Sequence, residues 1–167
     1  MINIVLYEPE IPQNTGNIMR TCVGLGARLH LIKPLGFKLD TKYIKRSGVN
    51  YIDKCEYYVY ENWENFISKN DGEFFYITRY GKQSPDEFDM SMDNVYLIFG
   101  KESTGIPKEI LKENLSRCVR IPTNENVRSL NLSNCVAIVL YEALRQQKYN
   151  DLSKVELIKG ANYLENQ

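Results

Sequence analysis

The chain has 167 residues, of which 43% are hydrophobic and 25% are charged, and its formal net charge at pH 7 is zero. These values are ordinary for a soluble globular protein of one domain, which buries about 70% of its unfolded surface on folding. No apolar run approaches the roughly 20 residues of a membrane-spanning helix, and no signal-peptide pattern is present. We therefore expect a cytoplasmic protein without a membrane partner.

Strand and helix patterns alternate along the chain. The predicted strands are residues 2–6, 28–33, 57–60, 74–78, 95–99 and 118–121. The predicted helices are residues 18–25 after the cap-type residues 14–17, residues 62–69 capped by Asn62, residues 107–114, and residues 131–147 capped by Asn131. A short basic segment, residues 38–46, is a further candidate helix. This alternation predicts an α/β fold in which helices flank both faces of a parallel sheet.

The chain divides into one expected domain and a tail. Residues 1–150 contain the alternating elements, without an internal repeat or a linker. The polar residues 151–167 are expected either to hold one more short helix or to be partly disordered.

Charge is unevenly distributed. Residues 11–54 contain eight Lys or Arg against two Asp, whereas residues 56–73 contain one Lys against five Asp or Glu. A basic first third attracts a polyanion such as nucleic acid even when the whole chain is neutral. A solvated charged surface is the alternative interpretation of the same pattern.

Cysteine and histidine content argues against a metal site. His30 is the only histidine, and no Cys-x-x-Cys pair occurs among Cys22, Cys55, Cys118 and Cys135. We therefore expect reduced thiols and no bound metal. His30 lies in an alternating run, so we interpret it as a strand residue with one face partly exposed. Ser-His-Asp catalysis would depend on this one imidazole, which makes a structural role the better interpretation.

Two nucleotide-binding motifs are incomplete in this sequence. Gly24-Leu-Gly26 begins like a dinucleotide fingerprint, but Leu29 stands where the third glycine belongs. The sequence Gly100-Lys-Glu-Ser103 lacks both the upstream glycine and the Ser or Thr directly after the lysine that a phosphate-binding loop requires.

Two glycine-containing loops, residues 97–107 and 120–134, each connect a strand-like run to a helix-like run. Ligand clefts in α/β proteins form at such junctions. Their polar side chains also have plain structural interpretations, which are a turn for Glu102 and helix capping for Ser129 and Asn131. Arg20, on the first helix, would likewise be an ordinary surface residue.

Three short patterns stand in a fixed order. Residues 14–20 read Asn-Thr-Gly-Asn-Ile-Met-Arg, residues 99–105 read Phe-Gly-Lys-Glu-Ser-Thr-Gly, and Ile121-Pro122 is followed by Ser-Leu-Asn-Leu-Ser at 129–133. Together they resemble the motifs of the SPOUT class of S-adenosylmethionine-dependent RNA methyltransferases, over about residues 1–147. Residues 3–17 are also similar to the opening of the TrmL (YibK-like) branch, which methylates the wobble ribose of tRNA.

The resemblance implies a homodimer whose parallel sheet ends in a deep C-terminal trefoil knot, the SPOUT or α/β-knot fold. The cofactor would be S-adenosylmethionine, with S-adenosylhomocysteine as the product and no metal. The residues expected to bind it are Ile77, Gly100, Ile121, Ser129 and Leu130. Aliphatic walls suit an adenine ring, and Gly100, without a Cβ, would let the ligand lie against the main chain.

The resemblance also implies a reaction, 2′-O-methylation of cytidine 34 or modified uridine 34 in leucine tRNAs. Arg20 would hold the adjacent phosphate or stabilise the developing alkoxide, since an arginine is almost never neutral. Tyr141 matches a position of the active site or the dimer contact. The other residues expected to bind the anticodon stem-loop are Asn14, Asn17, Lys42, Lys45, Arg46 and Glu102.

Other functions remain open from sequence alone. A methyltransferase of the same class could act on another tRNA site or on ribosomal RNA. A non-catalytic RNA-binding protein could keep the fold, and a Rossmann oxidoreductase would need the fingerprint that this chain lacks.

Overall fold

A computed structural model describes residues 1–40, 42 and 52–167. In this part of the chain, six parallel strands form one sheet in the order β3-β2-β1-β5-β4-β6. The strands are β1 (Ile2–Tyr7), β2 (Arg28–Ile32), β3 (Tyr57–Tyr60), β4 (Glu73–Ile77), β5 (Val95–Phe99) and β6 (Cys118–Val119). The predicted parallel sheet is therefore confirmed.

Helices cover both faces of this sheet. They are α1 (Pro12–Leu25), α2 (Trp63–Lys69), α3 (Lys108–Lys112) and α4 (Leu132–Gln146), with short 3₁₀ turns at Ile52–Lys54, Pro85–Glu87 and Leu115–Arg117. None of the described helices is long and apolar enough to cross a membrane.

The core is split into two layers by the alternation of side chains along each strand. On β1, Ile4 and Leu6 pack into a cluster with Met19 of α1 and Val139 of α4. Val5, between them, joins the opposite cluster, which contains residues of α2 and α3. Each buried aliphatic or aromatic side chain contributes roughly 1.5–3 kcal/mol, so these two layers fix which face of the sheet each helix covers.

The start of α1 differs from the prediction, which placed residues 14–17 before the helix. The helix begins at Pro12, and Asn14, Thr15 and Gly16 are buried within its first turns. No side chain of the local sequence caps it, and Ile11 occupies the cap position. A contact from another loop, described below, takes the place of a local cap.

Strand β6 is shorter than the predicted residues 118–121. The Val119 carbonyl still accepts a hydrogen bond from the Thr78 N–H at 2.9 Å, but the Arg120 N–H donates to the Gln83 carbonyl at 2.8 Å. The chain therefore leaves β4 after Val119. The predicted helix 107–114 is also shorter, since α3 ends at Lys112.

The caps of α2 and α4 are confirmed. The Asn62 side chain accepts from the Asn65 N–H at 2.7 Å, and the Asn131 side chain accepts from the Ser133 N–H at 2.9 Å. Residues 151–167 form turns without a helix or strand, and nearly all are exposed. Most of the basic segment 38–46, including Lys45 and Arg46, lies outside the described residues.

His30 is more buried than predicted, with only 3% of its surface exposed. Its Nδ1 lies 2.8 Å from the Tyr60 hydroxyl and its Nε2 2.9 Å from Asn3 Oδ1. Because Asn3 Nδ2 donates to the Val95 carbonyl, Oδ1 is the acceptor, so Nε2 carries the imidazole proton. The expected partly exposed face is therefore wrong, because the aromatic side chains on this side of the sheet enclose the ring.

The pKa of His30 is lowered to about 4, mainly by this burial and to a smaller extent by the nearby Arg28 charge. In the unfolded chain the imidazole titrates near its ordinary pKa of 6.5. Below that pH the unfolded chain binds a proton that the folded chain does not, so stability falls as pH falls from about 6.5 towards about 4.

We predict that acidification from about pH 7 to about pH 5 lowers the free energy of unfolding by about 2 kcal/mol through His30 alone. Urea denaturation across this range measures it. His30→Gln removes the titrating group and should flatten the slope, whatever its own stability. Equal slopes for the two proteins would contradict the assignment.

Candidate active site

A cavity of about 610 Å³ opens at the carboxyl edge of the sheet. Its walls come from the segments that follow β4, β5 and β6 and from the residues that precede α4. Ligands of open parallel sheets bind at this edge, where strands end and helices begin. The volume lies within the usual range of small-molecule sites, roughly 300–1,000 Å³.

All five residues predicted to bind the cofactor line this cavity, together with Asn14 and Glu102. Ile77 and Ile121 are half-buried and supply aliphatic walls, whereas Ser129 and Leu130 are exposed at the approach to α4. The start of α1 and the two loops that carry the second and third sequence patterns therefore meet at one place.

Gly100 is required by the packing of its own loop. A Cβ on this residue would lie 2.1 Å from the Gly105 carbonyl carbon and 2.2 Å from the Ile106 nitrogen. We expected the missing Cβ of Gly100 to leave room for the ligand against the main chain. The structure corrects this, because the backbone of the same loop fills that space.

Glu102 joins the second pattern to the first. Its Oε2 accepts a hydrogen bond from the Glu10 N–H at 2.8 Å, and its Oε1 accepts from the Ile11 N–H at 3.1 Å and from Asn14 Nδ2 at 3.2 Å. The carboxylate thus binds the N–H groups just before α1, where the helix dipole also favours a negative charge.

The Glu10 side chain in turn binds the loop that carries Glu102. The Ser103 N–H donates to Glu10 Oε1 at 2.8 Å. Hydrogen bonds from the side chain and the N–H of Ser103 lower the pKa of the Glu10 carboxyl. Lys101 Nζ lies 3.6 Å from Glu8 Oε1. Three consecutive residues of one loop therefore hold the segment that follows β1.

Asn14 carries the connection on to the third pattern. Its side-chain oxygen accepts from Asn131 Nδ2 at 3.1 Å, while the Asn131 oxygen caps α4. Among the structural interpretations left open by the sequence, a turn for Glu102 and a cap for Asn131 are correct. Ser129 is not the cap, because Asn131 occupies that position. Glu102 and Asn131 shape the wall of the cavity through the same bonds.

Sequence reasoning missed part of the lining. Thr78, Arg79 and Tyr80 directly follow β4, and Arg120 directly follows β6. Their position after predicted strands was the available signal. Arg79, Lys101, Arg120 and Arg128 are the cationic lining residues, against one carboxylate, Glu102. The site is therefore electropositive although the whole chain is neutral.

Other predicted site residues lie away from the cavity lining. Asn17 and Arg20 are on the exposed face of α1, and Tyr141 is 54% exposed on α4. Lys42 is exposed, and its N–H donates to Asp40. Among the described residues, no group of three or more His, Cys, Asp or Glu side chains could hold a metal ion.

The family model of the SpoU rRNA methylases matches residues 1–141. The chain belongs to the SpoU rRNA methylase family. It is therefore an enzyme that methylates RNA, and the resemblance that the three motifs carried is confirmed.

Relatives of this SpoU methylase include a Geobacillus stearothermophilus protein provisionally named tRNA (cytidine(34)-2′-O)-methyltransferase. The two are 49% identical over 91% of this chain and 99% of that one. A solved structure concerned with 2-OH methylation of C/U34 on tRNA is 39% identical, with a TM-score of 0.83, and covers 89% of this chain and 97% of its own. An AdoMet-bound rRNA methyltransferase from Sinorhizobium meliloti is 26% identical, with a TM-score of 0.77, over 86% of this chain and 56% of that one.

Gly100→Ala in this SpoU methylase should lower the free energy of unfolding by about 3 kcal/mol, because the new Cβ cannot be accommodated without moving the Gly105 backbone. Cofactor affinity should fall as well. Gly24→Ala is the matched control, since nothing lies within 4 Å of its Cβ position. Thermal unfolding and calorimetric titration with S-adenosylhomocysteine measure both effects, and equal behaviour of the two variants would refute the packing argument.

Glu102→Ala leaves the Glu10 and Ile11 N–H groups and the Asn14 amide without their acceptor. We expect it to destabilise the protein by about 1–2 kcal/mol, since part of this site is reached by water. Cofactor affinity should fall at the same time, because the α1 and α4 sides of the cavity lose their link. Glu165→Ala, in the exposed tail, should change neither quantity. A Glu102→Ala protein with wild-type stability and affinity would show that the contacts are incidental.

Proposed function

We propose that this enzyme transfers a methyl group from S-adenosylmethionine to the ribose 2′-hydroxyl of nucleotide 34, cytidine or modified uridine, in tRNA. The observation that carries the proposal is the meeting of two motif loops and Asn14, at the start of α1, around one electropositive cavity. Relatives at about half identity, with names that specify cytidine 34, support the same site. Leucine tRNAs are the substrates that the sequence resemblance implies, and the cytoplasm is the location we propose.

The cavity fits the cofactor in size and chemistry. Ile77, Ile121 and Leu130 offer aliphatic contacts for adenine, and Ser129 offers a hydroxyl for a polar group. The cationic side chains suit the cofactor carboxylate. S-adenosylmethionine, when bound, supplies a methyl group on a positively charged sulfur and leaves as S-adenosylhomocysteine.

Methylation forms a carbon–oxygen bond at the ribose, and the hydroxyl proton must leave as that bond forms. An arginine side chain is almost never neutral in a protein, so Arg20 is not the group that accepts this proton. It holds the adjacent phosphate, which takes the proton, or it stabilises the developing alkoxide while the proton passes to water. Arg20 lies six residues beyond Asn14 on α1, about 9 Å of helix rise, so the target nucleotide would extend from the cavity along that helix.

The remaining predicted residues would position the anticodon stem-loop. Asn17 shares the exposed face of α1 with Arg20. Lys42, Lys45 and Arg46 would bind backbone phosphates, which provide affinity but no sequence information. Asn14 and Glu102 would act by holding the cavity wall, because their polar atoms are engaged in the bonds described above.

We also propose that two copies form a dimer through α4. Ile138 and Tyr141 are 44% and 54% exposed on one face of this helix. Exposed apolar side chains that lie together on a helix are typical of an interface. Tyr141 would then contact the partner rather than the methyl group. A monomer in sedimentation equilibrium at micromolar concentration would contradict this.

A single domain of residues 1–150 with a deep trefoil knot at its C-terminal end, followed by residues 151–167 as a tail, is the third part of the proposal. Residues 118–120 run between the end of β4 and Gln83, with bonds to both sides, and Gly81 packs on their backbone. The end of α4 is bonded to the same connection, through Gln146 to Met90. These contacts support α4 passing through the segment between β4 and β5. An experimental structure with α4 outside that segment would refute it.

The function is tested by transfer of labelled methyl from S-adenosylmethionine to tRNA that lacks its wobble methylation, with nucleoside mapping of the product. We expect 2′-O-methyl label at nucleotide 34. Arg20→Ala should lower the transfer rate roughly a hundredfold with unchanged cofactor affinity, since it stabilises developing charge. Lys112→Ala, on the opposite face of the sheet, is the matched loss of an exposed cation.

Each other outcome selects a different function. Label at another nucleotide, or in ribosomal RNA, would replace the wobble assignment with another substrate of the same reaction. Absence of label despite cofactor binding would favour a non-catalytic RNA-binding protein. An Arg20→Ala enzyme with the wild-type rate would remove Arg20 from the mechanism.

A further inference from the structure

We propose that Tyr80 is a stacking platform for an unpaired nucleobase beside the target nucleotide, an inference that rests on the proposed function. Tyr80 lines the mouth of the cavity and is 63% exposed. Aromatic rings are usually buried, so a ring this exposed at the rim of an active site is unusual. RNA-binding proteins place such rings where splayed bases stack on them.

The ring already has a cation on it. The guanidinium carbon of Arg79 lies 5.4 Å from the centre of the Tyr80 ring. Arginine planes and aromatic rings both stack on nucleobases, and the guanidinium also binds phosphate. The pair therefore offers one surface for a base and one charge for its backbone.

The backbone beneath Tyr80 is fixed. The Tyr80 N–H donates to Thr78 Oγ1 at 3.2 Å, and the Gly81 N–H donates to the Thr78 carbonyl at 3.2 Å. Arg120 donates to the Arg79 carbonyl. A Cβ on Gly81 would lie 2.8 Å from the Arg120 nitrogen, so the turn is seated directly on the chain below it. Because this turn is already fixed, stacking of a base on Tyr80 would cost the protein little conformational entropy.

RNA is a better match for this ring than the cofactor. The half-buried Ile77 and Ile121 already supply the apolar walls deeper in the cavity. Tyr80 stands at the solvent side, where a bound RNA must approach, among cationic side chains that attract its phosphates. Because every base has a stacking face, the platform provides affinity and position rather than base identity.

The test uses an anticodon stem-loop RNA with 2-aminopurine, a base whose fluorescence falls on stacking, next to nucleotide 34. We expect quenching by the wild-type protein and by Tyr80→Phe. Tyr80→Leu should abolish the quenching and weaken RNA binding about tenfold, as loss of one base–aromatic stack does. Affinity for S-adenosylhomocysteine should be the same in all three proteins.

Tyr163→Leu is the matched control, because Tyr163 lies in the tail and also has a cation, Lys159 Nζ, 4.6 Å from its ring centre. It should bind and quench like the wild type. Equal RNA affinity of wild type and Tyr80→Leu would overturn the inference, and so would loss of cofactor affinity in Tyr80→Leu. Failure of the wild type to methylate nucleotide 34 would count against the proposed function instead.

Discussion

The Glu102 carboxylate is the contact on which the geometry of the site depends. It accepts hydrogen bonds from two backbone N–H groups before α1 and from Asn14, residues about ninety positions away in the chain. Through Asn14 and Asn131 the same connection reaches the start of α4. A cavity wall made of separate parts of the chain is thereby given one arrangement, as the proposed cofactor site would require.

Close backbone contacts add a second constraint. Gly100 is packed on the far side of its own loop, and Gly81 is packed on the chain that follows β6. Both contacts exclude a Cβ, so the loops around the cavity are held by main-chain packing as well as by side-chain bonds. The cost of such loops is a site that tolerates little substitution, and the benefit is that reacting groups are held in place before substrate arrives.

Charge is arranged by the fold rather than by composition. Acidic and basic residues balance over the whole chain, yet the described cavity lining holds four cationic side chains and one carboxylate. That carboxylate is bonded to N–H groups, and the side chains of the lining carry more positive than negative charge. On the opposite face of the sheet from α1 and α4, the buried polar side chains stabilise the fold instead. There neutral His30 is hydrogen-bonded between Tyr60 and Asn3.

Local sequence determined much of this protein. Period-two and period-3.6 patterns located the strands and helices, Asn62 and Asn131 were identified as caps, and the three motifs indicated the family and the residues of the cavity. These features depend on residues within a few positions of one another or on short sequence motifs. They could therefore be read without coordinates.

Only the tertiary structure decided the rest. The start of α1 depends on a carboxylate from a distant loop, and the end of β6 depends on a bond to Gln83. The space beside Gly100 belongs to the protein backbone rather than to the ligand, and His30 is enclosed by rings from other elements. Tyr80 lies at the cavity because the turn that carries it packs on the chain that follows β6. Each of these facts arises from groups far apart in sequence, whose proximity is created by folding and is not encoded in any local pattern.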